Sequence, residues 1–134
     1  ILEALRRYPA AGAWISFSCK DAEHTCGGDA IADCARLLDK ESQVAAIGVN
    51  CTAPQYVADL LRNIRAHTAK PVVVYPNTGE TYDAVTKTWH GSPTPYRDFV
   101  RQWYKAGARL IGGCCRTTPD DIRGIAAFRA SLQR

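Results

Sequence analysis

Residues 44–64 read VAAIGVNCTAPQYVADLLRNI, and this stretch decides the fold class. Its first seven residues, Val44–Asn50, are apolar almost throughout rather than alternating, the pattern of a strand covered on both faces. Cys51 follows, and then a helix, in which Val57, Leu60, Leu61 and Ile64 recur at i, i+3, i+4 and i+7 as one apolar stripe. Between the two, Thr52 stands three residues before Gln55, the spacing of a capping box, and Pro54 is tolerated in a first helical turn. A buried strand that turns at once into an amphipathic helix is the repeating unit of a parallel sheet.

The unit recurs on both sides. Upstream, AWISFS (Ala13–Ser18) predicts a strand, and after Gly27-Gly28 a helix carries Ile31, Cys34, Ala35 and Leu38 on one face. Downstream, PVVVY (Pro71–Tyr75) predicts the third strand, and Tyr96, Phe99, Val100 and Trp103 form the stripe of a helix that Gly107 ends. The fourth strand is Arg109–Gly113. Its helix opens with Thr118 as cap, Pro119 at the first position and Asp120 and Asp121 on the positive end of the dipole. Ile122, Ile125, Phe128 and Leu132 are expected to form its buried stripe. Four successive strand–helix units predict an α/β protein with a parallel sheet and helical crossovers. Periodicity alone does not separate an open sheet from a barrel. Four units are half of a (β/α)8 TIM barrel, and a chain that opens inside a helix (Ile1, Leu2, Leu5) fits the second half of one. The polar segment 76–93 is the long connection, and its length marks it as a functional loop.

Composition narrows the function classes. A chain of 134 residues with 46% hydrophobic and 22% charged residues fits one globular domain, taken as residues 1–134. Its net charge of +4 comes from 17 basic residues that are scattered rather than clustered, so no nucleic-acid stripe is expected. The longest apolar runs, VAAIGV and PVVVY, fall far short of a membrane span, so no membrane partner is expected. The first residues, ILEALRRYPAAG, lack a signal-peptide pattern, and a cytoplasmic setting is expected. There is no Met, even at position 1, which suggests a piece of a longer polypeptide. Six cysteines in a chain with periodic helices and apolar strands argue against a disulfide scaffold. In a reducing compartment a cysteine cluster more often means metal or catalysis.

Functional groups of parallel α/β folds gather where strands end and helices begin. Cys51 closes IGVNC at such an end, and Cys114 with Cys115 closes LIGGCC at another. Three thiolates at one rim suit Zn²⁺, and three protein ligands leave a fourth position open. The competing reading is packing, since cysteine is among the most often buried residues. Cys34 lies on its helix's apolar stripe and is assigned to the core. Cys19, His24 and Cys26 form C-x4-H-x-C, a spacing that matches no established ligand pattern. His67 sits near a helix C-terminus and complements its dipole, and His90 is read as a surface residue. In YPNTGETYD (Tyr75–Asp83), position at a strand end singles out Asn77 and Glu80 as polar groups for a ligand.

GVNC at 48–51, YPNTGE at 75–80 and GGCCRTTPDDI at 112–122, in that order, resemble the C-terminal half of the homocysteine S-methyltransferase family. Within it the resemblance is greatest to bacterial members that use S-methylmethionine or S-adenosylmethionine. It covers essentially the whole chain and implies that Cys51, Cys114 and Cys115 are zinc ligands, with the homocysteine sulfur as the fourth. It further implies methyl transfer from a sulfonium donor to homocysteine, giving methionine. The alternatives are a truncated, non-catalytic zinc–thiolate module and a homocysteine methyltransferase using betaine or a methylfolate. Half a barrel has two open strand edges, and self-association through them is expected.

Overall fold

In the computed structural model, which describes residues 1–132, Val44–Asn50 forms a strand (β2) at the centre of a parallel sheet. On one side lies β1 (Ala13–Phe17), and on the other β3 (Val72–Tyr75) followed by β6 (Ala108–Ile111). Each pair is parallel, with Ile15 beside Ile47, Val49 beside Val74, and Val74 beside Ile111. Helices α2 (Ile31–Asp39), α3 (Pro54–Arg65), α4 (Arg97–Ala106) and α5 (Pro119–Ser131) follow β1, β2, β3 and β6, and a short α1 (Leu2–Arg6) precedes the sheet. Strands that add in chain order, each after its own helix, give one run of crossovers with no reversal of direction. That is the order of a (β/α)8 barrel segment rather than of a doubly wound sheet.

The two faces of the sheet differ as this order requires. Ile15, Ile47, Val49, Val72, Val74 and Ala108 pack under α2, α3 and α4 with Ile31, Leu38, Leu60, Leu61, Ile64 and Trp103 in one core. The opposite face, which would line a barrel, carries Trp14, Ser16, Gly48, Val73, Tyr75 and Leu110, and Trp14 is 63% exposed. On that face Gly48 permits a close approach: a Cβ there would lie 1.7 Å from the Val73 carbonyl oxygen. Gly107 ends α4 in a left-handed conformation (φ 114°), the expected C-cap.

Three expectations are corrected. Thr52 does not cap α3, whose N-cap is Ala53; the Thr52 hydroxyl is buried instead, accepting from Cys19 N (2.9 Å) and donating to Asn50 O (2.9 Å). Tying two strand ends together satisfies buried backbone groups that a cap would have left unpaired. The stripe of α5 is not buried: Ile125 and Phe128 pack on the core, but Ile122 and Leu132 are 46% and 47% exposed, because α5 has α4 as its helical neighbour on one side only. Finally, segment 76–93 is not loop throughout. Thr81–Asp83 (β4) and Thr88–His90 (β5) pair as an antiparallel hairpin, its turn closed by the Asp83 carboxylate accepting from Val85 N and Thr86 N. No helix among the described residues is long and apolar enough to cross a membrane.

Candidate metal centre

The three thiols singled out at strand ends come together. Cys51 follows β2, and Cys114 and Cys115 follow β6, yet their Sγ atoms lie within 4.8 Å of one another. Cys51 Sγ is 3.3 Å from Cys115 Sγ, and Cys114 Sγ is 3.8 Å from Cys115 Sγ. Backbone bonds set this convergence. Cys51 N donates to Tyr75 O (3.0 Å), Gly112 N to Val74 O (2.8 Å) and Cys114 N to Pro76 O (3.0 Å), so the turns after β2 and β6 are both stitched to the end of β3. The threonine after the pair helps: Thr117 Oγ1 donates to Cys114 O (2.6 Å). Beyond it, the Asp121 carboxylate accepts from the backbone and hydroxyl of Thr118, so the expected cap of α5 is present.

The site holds backbone strain. Cys51 (φ 45°) and Arg116 (φ 69°) are two of the three described non-glycine residues with positive φ. Each costs roughly 1 kcal/mol or more and persists only where surrounding structure dictates it. Cys51 belongs to the thiol cluster and Arg116 directly follows it, one after each strand end.

Electrostatics explain what the cluster needs. Burial first, then the neighbouring thiols of Cys115 and Cys114, push the Cys51 thiol up to about 12. Each negative charge placed among thiols this close opposes the next. A thiophilic cation removes that opposition, and the donor set fits one: tetrahedral sulfur ligation at ~2.3 Å places sulfurs about 3.8 Å apart. The turns also lead into α3 and α5, whose N-terminal ends favour negative charge.

Around the thiols lies a polar shelf from the segment after β3. Asn77, Thr78 and Glu80 are buried. The Asn77 side chain accepts from Gly79 N (2.8 Å) and reaches Cys51 O at 3.4 Å. Glu80 accepts from Thr78 Oγ1 (2.7 Å) and from Arg116 Nε (3.2 Å) and a terminal guanidinium nitrogen (3.3 Å). Arg116 first, then Thr78, hold the Glu80 carboxyl below the usual carboxylate range. From α4's N-terminus the buried Tyr96 hydroxyl donates to Pro76 O, pinning the shelf from beneath, and burial holds that phenol protonated.

Arg116 and the hairpin residues Tyr82 and Trp89 are not marked as site residues by the sequence, and Tyr96 is marked there only as part of a helical stripe. For Arg116 the available signal was its place directly after Cys115. For the hairpin it was the Thr/aromatic alternation in TYD and TWH around an Asp-led turn. The other histidines and cysteines stay apart from the cluster. His24 Nδ1 lies 3.2 Å from Asp21, Cys19 is buried under Thr52, and Cys26 is exposed, so C-x4-H-x-C gathers no ligand set among the described residues. Cys34 is partly buried against the core, His67 touches Arg36, and His90 is exposed beside Thr88.

A parallel βα sheet with three thiols at the carboxyl ends of its strands defines a thiol-cluster protein built on a (β/α)8 barrel segment. Residues 1–128 match the family model described as homocysteine S-methyltransferase, and the chain belongs to that family. Homocysteine S-methyltransferase YbgG of Bacillus subtilis (strain 168) is 48% identical over 99% of this chain and 43% of its own length. The homocysteine S-methyltransferase of Escherichia coli (strain K12) is 47% identical over 95% of this chain and 42% of its own. The crystal structure of the metallated form of the E. coli homocysteine methyltransferase MmuM superposes with a TM-score of 0.78 at 41% identity, covering 95% of this chain and 39% of that one. The chain therefore spans about two fifths of the length of these relatives.

Proposed function

We propose that this chain belongs to a zinc-dependent enzyme that moves a methyl group from a sulfonium donor, S-methylmethionine or S-adenosylmethionine, to the thiol of homocysteine, giving methionine. The observation that carries this is the convergence of Cys51, Cys114 and Cys115 from two strand ends to within 4.8 Å, in a member of this family. Cys51, Cys114 and Cys115 would hold Zn²⁺, which would supply a Lewis acid favouring the thiolate of a fourth sulfur, that of homocysteine, at neutral pH. The chain's own part is electrostatic and positional. Three cysteinates carry one negative charge more than a dication neutralises, so the centre as a whole is anionic and favours a cationic donor. Charge is neutralised as the reaction proceeds, which a fixed, dry environment promotes. The homocysteine sulfur forms a bond to the methyl carbon, the donor's carbon–sulfur bond breaks with its electron pair left on the donor sulfur, and one proton passes to solvent. In this reading Asn77 and Glu80 hold the polar end of the amino acid, Glu80 in concert with Arg116, a role their burial beside the thiols supports.

In this reading residues 1–134 are a partial homocysteine-binding domain whose open edges, β1 and β6, require another segment or a second copy. The chain alone is expected to form methionine weakly or not at all. Metal analysis tests the site. Cys51→Ser, Cys114→Ser and Cys115→Ser should each lose zinc, and Cys34→Ser should keep it. Loss in Cys34→Ser with retention in Cys51→Ser would show that the ligand set is misassigned.

A further inference from the structure

The hairpin after the polar shelf has no part in the core. Tyr82 and Trp89 face each other across β4 and β5 as register partners, their ring centroids 5.1 Å apart and their planes at 49°. A cross-strand aromatic pair steadies any hairpin. This pair does something more specific: with Cys51, Cys115, Asn77 and Glu80 it lines one hollow of about 360 Å³. The hollow is thus lined by both thiols and aromatic rings, while Tyr82 stays 49% exposed.

A methylated onium centre has no N–H or O–H to donate, so hydrogen bonds cannot select it. Anions and the faces of aromatic rings can. The carboxylate of the hollow, Glu80, is paired with Arg116 and Thr78 and is assigned above to the amino acid. Beside the thiol cluster itself, the rings of Tyr82 and Trp89 are the groups of the hollow suited to a cation. We propose that Tyr82 and Trp89 are the receptor for the positive charge of the methyl donor and hold its methylated centre facing the thiol cluster. The inference rests on the methyl-transfer reading and names residues that reading did not use. A sulfonium and a quaternary ammonium present the same chemistry to the rings, and the experiment separates them.

Calorimetric titration of the zinc-loaded protein with S-methylmethionine, glycine betaine and the neutral thioether methionine tests the receptor. Trp89→Leu should weaken S-methylmethionine binding about five- to tenfold, the scale of one partly desolvated cation–π contact. Methionine binding should be unchanged. Trp89→Phe, which keeps a π face, should recover most of the loss, and Tyr82→Leu should repeat it, so the result does not depend on one variant's folding. Betaine in place of S-methylmethionine as the ring-dependent ligand would assign the receptor to an ammonium donor. Equal weakening of cation and thioether in Trp89→Leu, or no weakening of either, overturns the proposal. Methionine formation with a donor KM indifferent to Trp89→Leu would sink the receptor while leaving methyl transfer standing. Ring-dependent sulfonium binding by a protein whose Cys51, Cys114 and Cys115 hold no metal would leave the receptor standing and remove the methyl-transfer reading.

Discussion

Replacing Gly48 by Ala tests whether the close approach of β2 to β3 is what positions Cys51. A Cβ at residue 48 would sit 1.7 Å from Val73 O, 2.6 Å from Val73 C and 2.7 Å from Val73 Cγ1. Backbone is the obstacle, so no rotamer change relieves it, and the strands must part by more than about 1 Å to reach ordinary contact. A ladder bond stretched that far from its usual ~2.9 Å is lost. Losing two such bonds at about 1 kcal/mol each, with roughly 1–3 kcal/mol of overpacking, predicts a destabilisation of about 3–5 kcal/mol. That is a large fraction of a typical 5–15 kcal/mol total, so Gly48→Ala should shift the urea midpoint strongly or unfold the chain. Cys51 lies three residues further along the chain, directly after β2, so variants that remain folded should also bind metal less tightly. Gly124, in α5 with nothing within 4 Å of its would-be Cβ, is the control. Gly124→Ala should be neutral or stabilise by about 0.5–1 kcal/mol through helix propensity. A Gly48→Ala protein within about 1 kcal/mol of the parent, with metal retained, would refute the reasoning.

Two further perturbations address the shelf. Glu80 has a depressed folded-state pKa, so its pairing with Arg116 contributes fully above the unfolded carboxylate value, about 4.3, and is lost as pH falls through the folded value. Glu80→Gln should therefore flatten the acid limb of stability against pH, and an unchanged limb would place the titration elsewhere. Tyr96→Phe removes the hydroxyl that donates to Pro76 O but leaves the Cys114 N bond to the same oxygen. A loss of about 1 kcal/mol in urea melts is expected, with weaker zinc retention in a chelator challenge.

Much of this architecture was legible in residue order. Val44–Asn50, Val72–Tyr75 and the stripes of α2, α3 and α4 follow from apolar periodicity because burial on one or both faces is written into consecutive positions. The cap of α5 was legible because Thr118 and Asp121 act within one turn. Thr52 misled because its hydroxyl has two uses. The local spacing offered a cap, but Cys19, 33 residues away, supplied a buried N–H that takes precedence. The hairpin escaped notice because three-residue strands with polar and aromatic faces carry little period-2 signal.

The chain's chemistry divides along the same line. Which residues can bind a thiophilic ion is a matter of side-chain identity, and sequence alone singled out Cys51, Cys114 and Cys115 at strand ends. That the sulfurs of residues 51 and 115 stand 3.3 Å apart depends on parallel register, Val49 beside Val74 and Val74 beside Ile111, which no local pattern encodes. Only the tertiary structure paired Glu80 with Arg116 and brought Tyr82 and Trp89 to the hollow that Cys51 and Cys115 also line. Those contacts join segments through long-range packing, where the free energy comes from burying surfaces that are remote in sequence.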